Sequence, residues 1–388
     1  MDLDRVYGGV PRFRQEEQWS KRLALRLLRR VPALRETVVF GRVPAVEAAR
    51  GNAEVVFVCA DPEALVPEVS QRRLVAAVRD GDFDIVVPVF NESDDPGLRA
   101  APGIGYLTPS GLLEIAEMAA ASGAGPSRID RADSPVFAIR RSILGRQAAE
   151  MPLSAIVRSS QNARIAVDRG AYVHRYGDLS ASERPDLVER VPGGARSVLD
   201  VGCARGAPAR LLRQRGVVEI VGIEPDAEDA RAAGSRYDRI VCSRLDAVAD
   251  EGWAGRFDAI LFGDVLEHLE DPGLALEQVR PWLSARGRVV ASVPNIGNAA
   301  VLADLLEGRF DYIPYSILSG THVRFFTRRS LADLFESCGF VPEEISAIEA
   351  PPTPRVRVWQ DRFSALSGGL QDLAATEFLI VARAAVGE

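Results

Sequence analysis

The run Leu199-Asp200-Val201-Gly202-Cys203-Ala204-Arg205-Gly206 holds the residue types best suited to gripping a ligand. It reads as a buried strand that ends in a tight turn and leads into the helical pattern of Leu211 and Leu212. Backbone N–H groups in such a turn can approach a ligand closely, because Gly202 and Gly206 remove the side chains that would obstruct it. Glu224 closes the next strand, Val221-Gly-Ile-Glu224, 22 residues past Gly202. There its carboxylate can accept hydrogen bonds from both hydroxyls of a ribose. Asp246 ends the third strand run in Ser243-Arg-Leu-Asp246. Three successive strand ends thus bring turn, acid and acid to the edge where open α/β sheets bind ligands. Glu224 and Asp246 each have a plainer use as caps of the helices that follow.

The elements that must position these residues come at α/β spacing. Strand runs over Ser197–Val201, Glu219–Ile223, Arg239–Cys242, Phe257–Phe262 and Arg288–Val293 alternate with helical or loop segments, which predicts a doubly wound sheet. Runs around Phe340–Ile348 and Thr376–Ala382 add a terminal hairpin. Upstream, the pattern at Gln15–Arg30 predicts a helix, and Thr37–Phe40, Val55–Cys59, Ile85–Val89 and Val136–Ile139 predict strands of a smaller α/β unit. Pro88 marks its strand as an edge strand or one that ends early, and Ser122–Ser127 reads as a loop. The division falls near 165–176, giving units of 1–170 and 171–388.

Composition narrows the function. The 388 residues are 47% hydrophobic and 26% charged, as in ordinary globular chains, and suffice for two domains. A net charge of −7 leaves no electrostatic footprint for duplex nucleic acid or anionic lipid. The opening MDLDRVYGGVPRF has no apolar signal core, and no later apolar run approaches ~20 residues. A cytoplasmic protein without a membrane or nucleic-acid partner is therefore expected; the oligomeric state is not fixed. The cysteines Cys59, Cys203, Cys242 and Cys338 form no CxxC pair and read as reduced, buried thiols.

The turn and the two acids resemble the class I S-adenosylmethionine-dependent methyltransferases over roughly residues 176–388. The family pattern is hydrophobic-Asp-hydrophobic-Gly-x-Gly-x-Gly, here Asp200, Gly202, Ala204 and Gly206, with alanine replacing the central glycine. The resemblance implies a Rossmann-like fold with S-adenosylmethionine as cofactor. It implies that Asp200 and the turn surround the methionine part, that Glu224 takes the ribose hydroxyls, and that Asp246, beside Leu245, takes the adenine amine. Phe262-Gly263-Asp264-Val-Leu-Glu267-His268-Leu is similar to the segment flanking cofactor and acceptor. Ser292-Val-Pro-Asn295 and Gly320-Thr-His322-Val-Arg-Phe-Phe-Thr327 are further shared features. A nicotinamide dinucleotide fits less well, since G-x-G-x-x-G would need glycine where Ala207 stands.

Methyl transfer to a hydroxyl needs alignment and a proton acceptor, for which histidine is suited. His322 precedes the Phe325-Phe326-Thr327 helix start and is the first candidate base, with a hydrogen bond to loop backbone as the alternative. His268, four residues after Asp264 and so expected on the same helix face, is the second candidate or an anchor of that helix. His174 falls in the linker. Asp264 and Glu267 can favour a helix N-terminus. Glu267-His268 lacks an HExxH frame and Asp271 reads as a turn residue, so no metal is expected. Tyr312, Tyr315 and Phe310 either line an acceptor pocket or belong to the core.

The first half is weakly similar to a GT-A type glycosyltransferase or nucleotidyltransferase domain through residues 55–61, 84–92 and 135–141. Asp61 stands alone where a metal-holding pair is needed, and Asp82-Phe-Asp84 reads as a turn. This half is expected to be an accessory module that binds or presents the acceptor, a small molecule or glycan. The acceptor hydroxyl then belongs to a saccharide or related polar metabolite. The alternatives are an aromatic or polyketide-like product, or an inactive cofactor-binding partner subunit.

Overall fold

The computed structural model describes residues 38–40, 54–61, 64–91, 93–100, 107–123, 125–144, 153–160, 162–175, 182–248, 252–313, 316–367 and 372–385. The helix expected over 15–30 and Tyr315 lie outside them. The first sheet contains β1 (Val38–Phe40), β2 (Val55–Cys59), β3 (Ala64–Leu65), β4 (Ile85–Phe90), β5 (Pro126–Ile129), β6 (Val136–Arg140) and β7 (Ile165–Arg175). Its order is β1-β2-β6-β4-β7-β3, with β5 paired to β7. The helix Glu68–Arg79 covers it through Leu74, Val75 and Val78.

Three expectations change here. Pro88 sits inside the sheet, between β6 and β7. β4 pairs with β6 only through Ile85 and Val86, and its register with β7 shifts between Val87 and Val89, so the missing Pro88 N–H falls at an irregularity. The loop assigned to 122–127 already enters β5 at Pro126. The largest change concerns 165–175, read as the boundary: this segment is an eleven-residue strand, so a division at 170 cuts through β7. Gly170 there is a close-packing position. A Cβ would lie 2.4 Å from the Arg73 guanidinium, which pairs with Asp168 across the strand.

The second sheet contains β8 (Ser197–Val201), β9 (Glu219–Ile223), β10 (Arg239–Val241), β11 (Phe257–Gly263), β12 (Leu283–Pro294), β13 (Phe340–Glu349) and β14 (Ala375–Ala384). Its order is β10-β9-β8-β11-β12-β14-β13. The first five strands in that order are parallel, and β14 inserts antiparallel between β12 and β13. The last two strands are joined through the helix Pro354–Ser367 rather than a tight turn. β8 is apolar on both faces, as a central parallel strand must be: Leu199 and Val201 enter one core with Phe262 and Phe335, while Val198 enters another with Leu212 and Ile220. From β8 the chain goes to β9 on one side and later to β11 on the other. The strand order reverses at the β8 tip, the place where open α/β sheets hold their ligands.

The two halves touch through Glu114. Its carboxylate accepts hydrogen bonds from the Thr353 hydroxyl and, at 2.7 Å, from the Arg355 N–H, at the start of the helix Pro354–Ser367. A carboxylate there suits the positive end of the helix dipole. Among the described residues no helix is long and apolar enough to cross a membrane. Replacing Glu114 by Ala should lower stability by about 1.5–3 kcal/mol, the range for hydrogen bonds to a charged group. Urea unfolding checks this, with Glu114→Gln expected to lose less.

Candidate functional site

The turn after β8 is held in the left-handed region at Gly202 (φ 70°), Ala204 (φ 44°) and Gly206 (φ 73°). A Cβ on Gly202 would come within 2.6 Å of Val265 Cγ2, so that glycine is required by packing as well as by conformation. Ala204 adopts the unfavourable conformation anyway, and its N–H donates to Glu224 Oε2 at 2.9 Å. The other oxygen of Glu224 accepts the Asp226 N–H at 2.8 Å. Glu224 is therefore not the cap of the next helix; Asp226 caps it, accepting from the N–H groups of Glu228 and Asp229. Glu224 is instead a brace between two strand ends, buried enough that its carboxyl rises above the usual range. Asp200 is buried below the turn. Burial drives it up to about 7, against the hydrogen bond it accepts from the Tyr237 hydroxyl.

The third acid is placed differently. Asp246 lies exposed in a short 3-10 turn, Leu245–Ala247, forked onto Arg244 by hydrogen bonds of 3.0 and 2.9 Å. Leu245 beside it is buried. Gly263 ends β11, and a Cβ there would meet Leu187 at 3.2 Å. The next residue, Asp264, holds φ 53°.

Arg184 gathers a further set of acids near the tips of β11 and β12. It pairs with Asp264, with Glu377 at 2.6 Å and with Asp186 at 2.8 Å, and donates to Ser292 Oγ at 3.1 Å. Burial works against its charge, yet the surrounding carboxylates hold the guanidinium protonated. One cation does not neutralise them all. Burial and the neighbouring Asp264 push Glu377 up to about 8.

Beyond β11 the chain makes a 3-10 turn, Leu266–His268, and no α-helix. The expectation that His268 shares a helix face with Asp264 is therefore corrected; Asp264's left-handed backbone breaks any helix there. His268 instead meets His322, their rings edge-on with centroids 4.8 Å apart. Each ring's Nδ1 contacts a backbone carbonyl, Thr321 O at 3.0 Å for His268 and Ile317 O at 2.9 Å for His322. The Nε2 of His322 is 4.0 Å from Glu267 Oε1. Glu267 is 1% exposed, neither carboxylate oxygen has a hydrogen-bond partner, and burial raises its carboxyl well above the usual range. Burial, with His268 alongside, pushes His322 down to about 4. One ligand atom from each of Glu267, His268 and His322 can be chosen so that all three lie within 4.8 Å of one another, a metal-competent group that the spacing of Glu267-His268 alone did not suggest.

Other expectations fall into place around this centre. His174 is not in a linker but in β7, opposite Leu65. Asp271 caps the helix Pro272–Val279, accepting the Leu274 N–H at 3.0 Å. Phe310 is 42% exposed and so is not core; it meets Tyr312 and Phe325 edge-on at 5.4 and 6.4 Å. Cys59, Cys203 and Cys338 are buried free thiols, whereas Cys242 is exposed. Sequence reasoning missed Arg184, Tyr237 and Glu377. Only Arg184 carried a signal, standing before Pro185 at the start of a short helix.

Two measurements check this description. Ala204→Gly should raise stability by up to about 1 kcal/mol, since roughly 1–2 kcal/mol of left-handed strain is relieved and part is returned as glycine's chain entropy. Asp200 has a raised carboxyl, so the folded protein holds a proton that the unfolded chain, titrating near ~3.9, has released. Its contribution to stability is present below pH ~4 and is lost as pH rises through about 7. Unfolding curves of wild type and Asp200→Asn should accordingly differ by an amount that moves in the variant's favour across that window.

Residues 171–345 match a family model described as a methyltransferase domain. A ubiquinone biosynthesis O-methyltransferase from Nitrobacter winogradskyi is 29% identical over 160 residues, 40% of this chain and 60% of that protein. One from Psychrobacter arcticus is 27% identical over 177 residues, 42% of this chain and 66% of its own length. The match thus spans less than two thirds of the length of these curated relatives. A solved S-adenosylmethionine dependent methyltransferase from Mesorhizobium loti overlaps 53% of this chain and 100% of its own, at 20% identity and a TM-score of 0.37. The turn, the brace and the stretch that matches the methyltransferase-domain model thus fall on the same strands, within residues 171–345.

Proposed function

We propose that the chain transfers a methyl group from S-adenosylmethionine to a hydroxyl of a small-molecule acceptor. The observation that carries this reading is the meeting, at the tips of β8, β9 and β11, of a left-handed turn, two buried carboxylates and the Glu267, His268 and His322 group. The donor set suits the cofactor: burial favours the neutral form of Asp200 and Glu224, and a cationic sulfonium nucleoside beside them would favour their charged form. When bound, the cofactor supplies an electrophilic methyl carbon. In this reading Gly202, Ala204 and Gly206 keep the turn's backbone open to the methionine part beside Asp200. Glu224 spends one lone pair per oxygen on backbone N–H groups and offers the others to ribose hydroxyls. Leu245 and Asp246 border the purine, and Gly263 keeps the β11 tip clear.

The chain's remaining task is to align the acceptor and take its proton. His322 presents an unprotonated ring at neutral pH, since its conjugate acid is depressed to about 4. That depression also makes it a weak base alone, so the hydroxyl is assigned to His322 together with Glu267 and His268. The exposed Phe310 and Phe325, with half-buried Tyr312 against Phe310, offer a stacking surface for a planar or sugar-ring acceptor. A saccharide follows from the sugar-enzyme likeness of the first half, which then presents the acceptor. The alternative, a small aromatic acceptor, is kept because the relatives are O-methyltransferases named for ubiquinone biosynthesis.

The test is transfer of labelled methyl from the cofactor to a panel of sugar nucleotides, glycans and phenols, beside calorimetry of cofactor binding. Glu224→Ala should weaken cofactor affinity about 10–100-fold, equivalent to about 1.5–3 kcal/mol. His322→Asn should reduce turnover with little change in affinity. Tight cofactor binding without turnover on any acceptor would overturn the reading in favour of an inactive partner subunit.

A further inference from the structure

One side chain of the first half reaches the segment that carries His322. Leu107 stands just before Thr108, the N-cap of the helix Pro109–Ala121, whose hydroxyl accepts the Gly111 N–H at 3.3 Å. An apolar residue at that position often packs onto the first turns of its own helix. Leu107 packs into the second half, against one apolar cluster of Val301, Ile317 and Leu318 and a second that contains Ala300 and Val356. Its carbonyl accepts the Ser316 hydroxyl at 2.8 Å. Ile317 and Leu318 are buried, so the segment that begins at Ser316 is seated partly on Leu107.

His322 is tied to that segment. Ser316 O accepts the Ser319 N–H and Ser319 O accepts the His322 N–H, both at 3.1 Å. The ring is held by Ile317, whose carbonyl lies 2.9 Å from Nδ1. A carbonyl only accepts, so this contact puts the ring proton on Nδ1 and the lone pair on Nε2, the nitrogen that can take a proton from a hydroxyl. Past the ring, Glu267 O accepts the N–H groups of Val323 and Arg324 at 2.8 and 3.1 Å. His322 thus lies between an anchor on the turn after β11 and a segment seated on the first half.

We propose that Leu107 is a positioning residue for His322: by seating residues 316–319 it keeps Ile317 O on Nδ1 and so holds Nε2 as the nitrogen with the lone pair. The inference rests on the reading of His322 as proton acceptor given above. Proton transfer is sensitive to such placement, since a displacement of ~1 Å caused far from the chemistry can lower a rate about 100-fold. The turn after β8 and Glu224, to which the cofactor is assigned, make no contact with this segment through the bonds that hold it. Loss of the Leu107 side chain is therefore expected to act on the ring and on turnover rather than on cofactor affinity.

The experiment reads the ring of the full chain directly, without cofactor or acceptor, so that its outcome is independent of methyl transfer. Long-range proton–nitrogen correlation spectra of isotope-labelled histidine rings, recorded near neutral pH, distinguish the two tautomers. The chain has three histidines, and the signals of His322 are those lost in His322→Asn. Wild type should show His322 with its proton on Nδ1. Leu107→Ala should move the signals toward a mixture of both tautomers, and Leu107→Met, of similar volume, should keep the wild-type form. Glu114→Ala, which breaks a second contact between the halves, should also keep it. With an acceptor that the chain methylates, Leu107→Ala should lower kcat roughly 10–100-fold and leave cofactor affinity within about twofold. Unchanged His322 signals in folded Leu107→Ala overturn the proposal, as does an equal change in Glu114→Ala or a wild type with its proton on Nε2. If circular dichroism shows that Leu107→Ala fails to fold, Leu107→Val, one carbon shorter, decides in its place. A wild type that shows the Nδ1–H ring yet methylates no acceptor overturns the methyl-transfer reading alone.

Discussion

A group of buried acids at the carboxyl edge of the second sheet is the constraint on which the rest of the structure turns. Asp200, Glu224, Glu267 and Glu377 are withdrawn from water there, and each has its carboxyl raised by burial. Among the described residues, Arg184 is the cation that reaches into this group. A fold tolerates such a concentration only where hydrogen bonds or a ligand offset the desolvation. Glu224 is satisfied by two backbone N–H groups and Asp200 by a tyrosine hydroxyl. Glu267 is satisfied by neither, which singles it out.

The backbone carries its own share of the arrangement. Gly202, Ala204, Gly206 and Asp264 all lie in the left-handed region, in the segments that follow β8 and β11. Residues there cost conformational energy and persist because packing over-determines them. Val265 fills the space over Gly202, and the N–H of Ala204 is tied to Glu224. The turn and the brace therefore stabilise one another across β8 and β9, and a ligand that uses both meets a preformed surface.

What could be read in the sequence was what depends on local pattern. The parallel strands from β8 to β12 announce themselves as apolar runs at regular spacing, and Asp200, Gly202, Gly206 and Glu224 sit at their ends. The parts that escaped depend on distance along the chain. His322 joins Glu267 and His268 across more than fifty residues, and Glu377 comes from a strand inserted between two others. No local spacing could reveal either. β7 escaped for a different reason: Gly170 interrupts its apolar run, as it would in a linker, while in the sheet that same glycine makes room for Arg73 to reach Asp168.

Arg184 joins these levels. It lies nine residues past the end of β7, on the segment that leads from the first sheet into the second, and its own φ is 48°. From that position its side chain reaches Asp264 beyond β11, Ser292 in β12 and Glu377 in β14. The entry of the chain into the second sheet therefore sets part of the charge balance near the tips of β11 and β12. Glu114 fixes the other end of the contact between the halves, at the helix that leads into β14. The first half is thus joined to the second along the chain that carries Arg184 and through the hydrogen bonds of Glu114 to the helix that leads into β14 and Glu377.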